Sequence, residues 1–306
     1  MTNGDIRVRV LVDNAEGVAG LSVRWGLSLW IETSRARVLL DCSDADAFLL
    51  NAERLGISLE TADGFVLSHG HYDHGGGIEQ LAEIAPSTPL FLHPGALLPR
   101  YSLRENGKAE AVGLPDHSLA AVGAASRRVF WTVKPLEVAP GIWVTGPVPR
   151  YHPLEHAEKT LFLDTACTIP DCVVDDQAVW IETPSGLVVL CGCAHSGVVN
   201  TVQYIRLAVA ARVQGPTDSG GRTDQSTPMS DDGLPVVRGL VGGLHLFAAS
   251  NARLQATADY LGMLDLELCA PCHCTGQRAK AVLGERLPRA FLAVATGSEL
   301  KLASPC

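Results

Sequence analysis

Four short apolar runs in this chain each end in a turn that carries histidine, and that repetition restricts the fold more than any other feature. Residues 64–68 run into His69, 187–190 into a turn ending at His195, 236–241 into His245, and 266–270 into His273. Short apolar runs bounded by Gly, Pro or Cys turns read as buried strands. Strands that end on one edge of a sheet gather distant residues on a rigid scaffold. The pattern therefore predicts an α/β chain whose strand ends bring these histidines together.

The densest turn is Ser68-His69-Gly70-His71-Tyr72-Asp73-His74. It holds four residues of metal-ligand type within six positions. Neutral imidazole and carboxylate are the usual nitrogen and oxygen donors to zinc and related first-row metals. A strand end followed by a turn can aim His69 and His71 at one cation while Asp73 and His74 face a second. Gly70 and Gly75–Gly77 give the backbone room for this path. The chain has 10 histidines in 306 residues, so three within six positions point to a metal site over a solvated loop.

Residues 6–12 alternate apolar and charged, with Ile6, Val8, Val10 and Val12 against Arg7 and Arg9, the period of a strand. Strands at 27–33 and 37–41 are joined by a hairpin turn at 34–36. A helix is expected over 45–55, capped by Ser43 or Asp44 and ended by Gly56. Further strands are expected at 90–93, 141–146, 160–164, 178–182 and 290–295. Further helices are expected at 78–84, 198–211, 252–264 and 277–283. Residues near 95–135 show no clear period and read as an insertion over the site. Residues 213–235 are rich in Gly, Pro, Ser, Thr and Asp and read as a mobile loop, with too few apolar side chains to offset the entropy of ordering.

Charge narrows the partners. A net charge of -9 leaves little Lys and Arg to neutralise phosphates, which argues against nucleic acid. No apolar stretch reaches the roughly 18 residues that span a bilayer. The start, MTNGDIRVRV, lacks the apolar core of a signal peptide. The 9 cysteines are then expected to be reduced thiols in the cytoplasm. Cys191, Cys193, Cys272 and Cys274 form two Cys-x-Cys pairs. That is not the knuckle spacing of a four-thiolate zinc site, and packing beside the metal centre is the preferred reading. Neither a P-loop nor a dinucleotide fingerprint is present, and 192–197 has no serine placed as in a nucleophile elbow.

The His-x-His-x-Asp-His segment after a short apolar strand resembles the signature of the metallo-β-lactamase superfamily. LSLWIETSRARVLLD at 27–41 and GISLETADGFVLSHGHYDHGGG at 56–77 resemble one subgroup closely. So do Asp175-Asp176-Gln177-Ala178, GLVVLCGCAHSGVVNT at 186–201, VGGLHLF at 241–247 and PCHCTG at 271–276. That subgroup includes the dihydropterin–ribofuranosylaminobenzene phosphate synthases and many metal-dependent hydrolases. The likeness runs in order along most of the chain and thins at 95–135 and 202–235.

The resemblance implies a four-layer αβ/βα sandwich, with two mixed sheets flanked by helices and one domain over 1–306. Carried over by position, it implies that His69, His71 and a later histidine hold one divalent metal ion. Asp73, His74 and a final histidine would hold a second. His195 is chosen for the first place and His273 for the second, because each sits in a Gly/Cys turn just after a strand. Zinc is expected, with iron or manganese as alternatives. Many two-metal members bridge the ions with an aspartate where this chain has Gly192-Cys193. A Cys193 thiolate could substitute, or nothing could. His245 is a ligand, a substrate contact or a core histidine, with substrate contact preferred. Arg150 and His152 either contact an anionic substrate or belong to a solvated loop, and His93 and His117 are read as structural.

The implied reaction is hydrolysis of an ester, amide, thioester or phosphoester bond of a small molecule by a metal-bound hydroxide. Asp73 would position that hydroxide and accept its proton. The synthases in the subgroup imply an alternative, a transferase that uses a pterin diphosphate and releases pyrophosphate. A metal-binding sensor without turnover is the third reading.

Overall fold

The computed structural model describes residues 5–214 and 227–302. Strands β1 (Ile6–Val12), β2 (Ser28–Glu32) and β3 (Arg37–Leu40) precede helix α1 (Ala47–Arg54). Next, β4 (Gly64–Val66) leads to a single helical turn, α2 (Tyr72–Gly75), then α3 (Ile78–Ile84) and β5 (Leu90–Leu92). Short strands β6 (Tyr101–Leu103) and β7 (Ala109–Ala111) precede α4 (Asp116–Ala124) and β8 (Val129–Trp131). They are followed by β9 (Leu136–Ala139), β10 (Ile142–Val144) and β11 (Leu161–Phe162). A hairpin of β12 (Ala178–Thr183) and β13 (Gly186–Cys191) feeds α5 (Val198–Gln214). The chain continues through β14 (Val237–Gly243), α6 (Asn251–Met263), β15 (Leu268–Cys272), α7 (Gln277–Arg286) and β16 (Glu299–Leu302).

Among the described residues the strands form sheets ordered β16-β1-β2-β3-β4-β5-β8, β15-β14-β13-β12-β10-β9 and β11-β6-β7. Both large sheets are mixed. In the first, β3, β4, β5 and β8 run parallel. In the second, β13, β14 and β15 do.

Alternation along each strand builds the layers. Leu29 and Ile31 of β2 face a core shared with Val188 and Leu190 of β13, between the two sheets. Trp30 and Leu39 face the opposite way, onto Phe48 of α1 and Leu81 of α3. Leu187 and Val189 likewise turn outward onto Val202 and Ile205 of α5 and Leu254 of α6. Strands apolar on both faces read as continuous hydrophobic runs, which is why 187–190 carries no polar alternation. The result is the expected helix–sheet–sheet–helix stack.

Parallel pairing sets the site. Cys191 of β13 pairs with Gly242 of β14, and Gly243 pairs with Cys272 of β15. The turns after these strands therefore emerge side by side, with Gly243 N donating to Gly192 O at 3.1 Å.

Several expectations need correction. The first helix begins at Ala47 with Asp46 at its N-cap, so neither Ser43 nor Asp44 caps it. Residues 290–295 contribute only a bridge between Cys269 and Phe291; the last strand is β16, which pairs with β1. The unread insertion contains α4 and β8, and its β6–β7 hairpin pairs with β11. It clamps onto the histidine turn through a His71–Gly113 bridge and Tyr72 N donating to Val112 O at 3.0 Å. Of the expected mobile loop, 215–226 lies outside the described residues. Its described end is tied to α5, where Arg206 bonds Pro235 O, Ser230 and Asp232. No described helix is long and apolar enough to cross a membrane.

One buried ion network joins the insertion to the rest. Arg100, 2% exposed, pairs with Asp171 at 3.0 Å and with both oxygens of Asp175. Asp175 Oδ2 also accepts from Gly70 N at 2.7 Å, inside the histidine turn. Removing one partner of such a network strands buried charge, at about 3–5 kcal/mol. Arg100→Met should lower unfolding stability by about that amount in a denaturant titration. An unchanged midpoint would mean that the network carries no net stability.

Candidate metal centre

The centre is assembled from strand ends, and its first support is Asp41, just past β3. This fully buried carboxylate accepts from Ser68 N at 2.7 Å, from Ser68 Oγ at 2.7 Å and from His74 Nδ1 at 2.6 Å. A carboxylate here only accepts, so His74 carries its proton on Nδ1 and presents Nε2 to the interior. Ser68 gives its hydrogen to Asp41 and so accepts from His69 Nδ1 at 2.9 Å. His69 then also presents Nε2. Asn14, past the end of β1, orients His273 through Oδ1 at 2.9 Å from Nδ1. Asp13 holds the same residue by its backbone, Oδ1 to N at 2.7 Å.

The freed nitrogens converge in two groups. His69 Nε2 lies 3.0 Å from His71 Nδ1 and 3.2 Å from His195 Nε2. His74 Nε2 lies 3.2 Å from His273 Nε2, with Asp73 Oδ2 at 3.8 and 3.5 Å from the two. His69, His71 and His195 form one candidate cation triad, and Asp73, His74 and His273 another. Ring nitrogens this close in a buried space can share hydrogens only in pairs, and a cation among them would satisfy every nitrogen of a group at once. The donor chemistry therefore fits divalent metal ions.

Electrostatics support this fit. Burial, helped by neighbouring His74, His71 and His195, pushes His69 well below the ordinary imidazole pKa. His195 is depressed by burial and by His245. Burial and the Arg100 charge take His71 down to about 3. These three stay neutral, the form that ligates. Burial opposes charge on His74 too, but Asp41 and Asp73 outweigh it and lift it to about 9. Burial pushes the Asp73 carboxyl up, but His74 and His273 prevail and hold it well below the usual carboxylate range.

Backbone geometry is strained around the cluster. Asp41, Ala194, His245 and His273 have positive φ of 59°, 55°, 46° and 49°. Such conformations cost about 1–3 kcal/mol each and collect at functional sites. Gly192 is required by close approach: a Cβ there would lie 2.0 Å from Ser68 Oγ and 2.8 Å from Asp41 Oδ2. Gln177 braces the other side, donating Nε2 to Leu67 O at 2.8 Å and its backbone N to Ser68 O at 3.0 Å.

A cleft of about 610 Å³ opens over the two groups. His71, Asp73, His195, His245, His273 and Cys193 form its floor. Its walls include Trp25, Tyr72, Phe247, Arg104, Lys159 and Arg253. The insertion supplies residues 102–105 and 112, as a covering segment should.

The sequence-derived residues fall as follows. His69, His71, Asp73, His74, His195 and His273 come together. Cys193 lies among them, its Sγ 3.1 Å from His74 Nε2. His245 sits beside His195, ring centroids 4.2 Å apart, with Glu158 against its Nε2. The Cys-x-Cys pairs do not make one four-thiolate cluster. Cys191 packs in the helix-side core and Cys272 between the sheets. Arg150 and His152 do not line the cleft: Arg150 bonds Cys172 O and His195 O, and His152 accepts from Leu154 N. His93 accepts from Gly95 N, His117 contacts Gly76 O 41 positions away, and neither lines the cleft. Sequence reading missed Asp41, Asn14, Asp175 and Glu158. Asp41 and Asp175 both lie in segments that carry the family resemblance, 27–41 and 175–178, and that was the available signal.

Residues 24–163 match the family model of the metallo-beta-lactamase superfamily. A Methanocaldococcus jannaschii protein named 7,8-dihydropterin-6-methyl-4-(beta-D-ribofuranosyl)-aminobenzene-5'-phosphate synthase is 26% identical over 287 residues, 90% of this chain and 89% of its own. An uncharacterised protein of the same organism is 26% identical over 279 residues, 91% of this chain and 94% of its own. Among solved structures, a metal-dependent hydrolase of the beta-lactamase superfamily has a TM-score of 0.73 at 24% identity, covering 98% of this chain and 100% of that one. A metallo hydrolase from Ignicoccus hospitalis has a TM-score of 0.51 at 11% identity, covering 98% and 100%. The fold is that of the metallo-β-lactamases.

Two outcomes follow from this geometry. Asp41→Asn should weaken metal binding about 10–100-fold, the range for groups that orient ligands, when measured by competition with a chelating dye. Wild-type affinity in that titration would rule out Asp41 as the organiser. A cation ligated by His74 must displace a proton held up to about pH 9. Apparent affinity should therefore rise from neutrality toward that pH, and a flat profile would contradict ligation by His74.

Proposed function

This chain belongs to the metallo-β-lactamase superfamily, and from that membership we propose that it is a metal-dependent hydrolase of ester, phosphoester or related bonds in small molecules. The observation that carries the reading is the pair of donor triads at one cleft, lined by His71 and His195 of the first and Asp73 and His273 of the second, with His69 and His74 buried beneath. His69, His71 and His195 would hold one ion, and Asp73, His74 and His273 the other. Zinc suits this donor set, and iron or manganese would also be accepted. Bound divalent ions lower the pKa of water toward neutrality and polarise a carbonyl or phosphoryl oxygen.

The chain's own side chains would do the rest. Asp73 is held ionised, so it stays an anion and an acceptor that can orient a nucleophile's hydrogen. Its depressed pKa makes it a weak store for a proton. His245, at the edge of the floor, is better suited to hold one: burial opposes its charge, but Cys274 and Glu158 outweigh it and raise its pKa. Trp25, Tyr72 and Phe247 offer apolar surface to an organic body, and Arg104, Lys159 and Arg253 suit an anionic substituent. The cleft volume falls in the range of small-molecule sites. The 8 free cysteines among the described residues suit a reducing, cytoplasmic setting. The acidic net charge argues against a nucleic-acid partner.

The name of the Methanocaldococcus relative supports a second reading, a transferase that takes a pterin diphosphate and releases pyrophosphate. Both readings use the same donors. The test is metal-reconstituted protein offered phosphodiesters, lactones and thioesters, then a pterin diphosphate with an arylamine acceptor. Hydrolysis that chelation abolishes and zinc restores is the expected result. His69→Ala should cost more than the roughly 10–100-fold of an outer-shell change. Pyrophosphate release that requires the acceptor would establish the transferase instead. Full metal content without turnover on any compound would leave a sensor.

A further inference from the structure

One part-buried cation in the cleft wall has no partner within the protein. Arg253 stands in the first turn of α6 and lines the cleft. Its Nε is buried without an acceptor, and its guanidinium enters no ion pair. Every other arginine among the described residues that is not exposed has an ion pair or a hydrogen bond. The acids around Arg253 are engaged elsewhere. Its charge reaches Glu155, but that carboxylate accepts from Val199 N at 3.0 Å and Asn200 N at 2.8 Å. Glu158 lies against His245 Nε2, and Glu105 is exposed on the β6–β7 hairpin. Position adds a second cost. Positive charge in a helix's first turn opposes the helix dipole, and the first turn of α6 contains no acid. Of the other wall cations, Arg104 pairs with Glu110, while Lys159 is exposed and has no ion pair.

We infer that Arg253, assisted by Lys159, recognises a non-reacting carboxylate or phosphate group of the substrate, an assignment that rests on the reading of this cleft as a substrate site. The argument is one of charge, shape and place. A guanidinium presents paired donors in a fixed fork that matches two oxygens of a carboxylate or a phosphate. With no protein acceptor, those donors are free for a ligand. The charge of Arg253 also reaches His245, whose ring lies 4.2 Å from that of His195 between centroids. The anion would therefore sit on the side of the first triad, beyond His245 and away from the metal-facing donors. Contacts to a part of the substrate that does not react fix where its reacting bond lies over the floor. An unpaired arginine against a helix dipole is a local cost to the free protein, and a bound anion offsets it.

Calorimetry on zinc-loaded protein tests this with three probes that share one ring: benzylphosphonate, phenylacetate and benzyl alcohol. Wild type should bind at least one of the two anions more tightly than the alcohol. Arg253→Gln should weaken that anion about 10–100-fold, the range for a hydrogen bond to a charged group, and leave the alcohol unchanged. Arg253→Lys should fall between the two, because an ammonium keeps the charge and lacks the fork. Lys159→Ala should weaken the anion less than Arg253→Gln does. The anion that loses more identifies the substituent as phosphate or carboxylate. Thermal unfolding without a probe gives a second readout. Arg253→Gln should match or exceed the wild-type midpoint, whereas loss of a structural arginine would lower it. The assignment is overturned if Arg253→Gln binds both anions as wild type does, the result expected if the metal ions are the sole anion receptor. A variant that fails to fold, or unfolds well below wild type, overturns it as well. Chelator-sensitive hydrolysis with anion affinity untouched by the substitution would remove this subsite alone. Lost anion affinity without turnover on any compound would remove the hydrolase reading and leave the subsite.

Discussion

The buried carboxylate of Asp41 is the contact on which the centre's arrangement turns. Three donors from the histidine turn meet it: the Ser68 amide, the Ser68 hydroxyl and His74 Nδ1. Through those bonds it sets the tautomer of His74 directly and that of His69 by way of Ser68. Each triad thereby owes one imidazole to the same anion. A buried carboxylate without such partners would carry a desolvation penalty of several kcal/mol, so the turn and the carboxylate stabilise each other. The small side of the contact matters equally. Gly192 leaves the space that Ser68 Oγ fills, and any side chain there would push the two sheets' turns apart.

The centre is locally unfavourable and is held by its surroundings. Left-handed backbone at Asp41, Ala194, His245 and His273 stores strain, and the clustered imidazoles lose hydration. The opposing stabilisation lies in the layers beneath. Leu29, Ile31, Val188 and Leu190 close the space between the sheets, while Trp30 and Val189 anchor each sheet to its helices. Arg100 with Asp171 and Asp175 fastens the insertion to the histidine turn at Gly70. Rigid strand ends thus support turns that would not keep these conformations alone.

Reaction choice belongs to a different part of the molecule. The donor set does not distinguish the two proposed readings, hydrolysis and diphosphate displacement, and fold never decides between them. Discrimination has to come from the cleft walls, residues 102–105 and 158–161 with Trp25, Phe247 and Arg253. Part of that wall belongs to the insertion over 95–135, where the sequence has the least regular period. The insertion's short strands β6 and β7 have few buried positions, so periodicity had little to act on there.

What the sequence by itself determined was local. The alternation at 6–12 specified β1, the apolar run at 187–190 specified β13, and the spacing His69-x-His71-x-Asp73-His74 specified a pair of donor sets on one turn. Turn glycines and cysteines after strands picked out His195 and His273, because each such signal arises between neighbours in the chain. What only the tertiary structure decided was which groups stand behind those donors. Asn14 meets His273 across 259 positions, Asp175 meets Gly70 across 105, and Asp41 meets His74 across 33. The pairing of β16 with β1 and the absence of a strand at 290–295 were decided in the same way. A hydrogen bond of that reach leaves no periodic trace, since it exists only after particular strands have paired and their ends have come to share an edge.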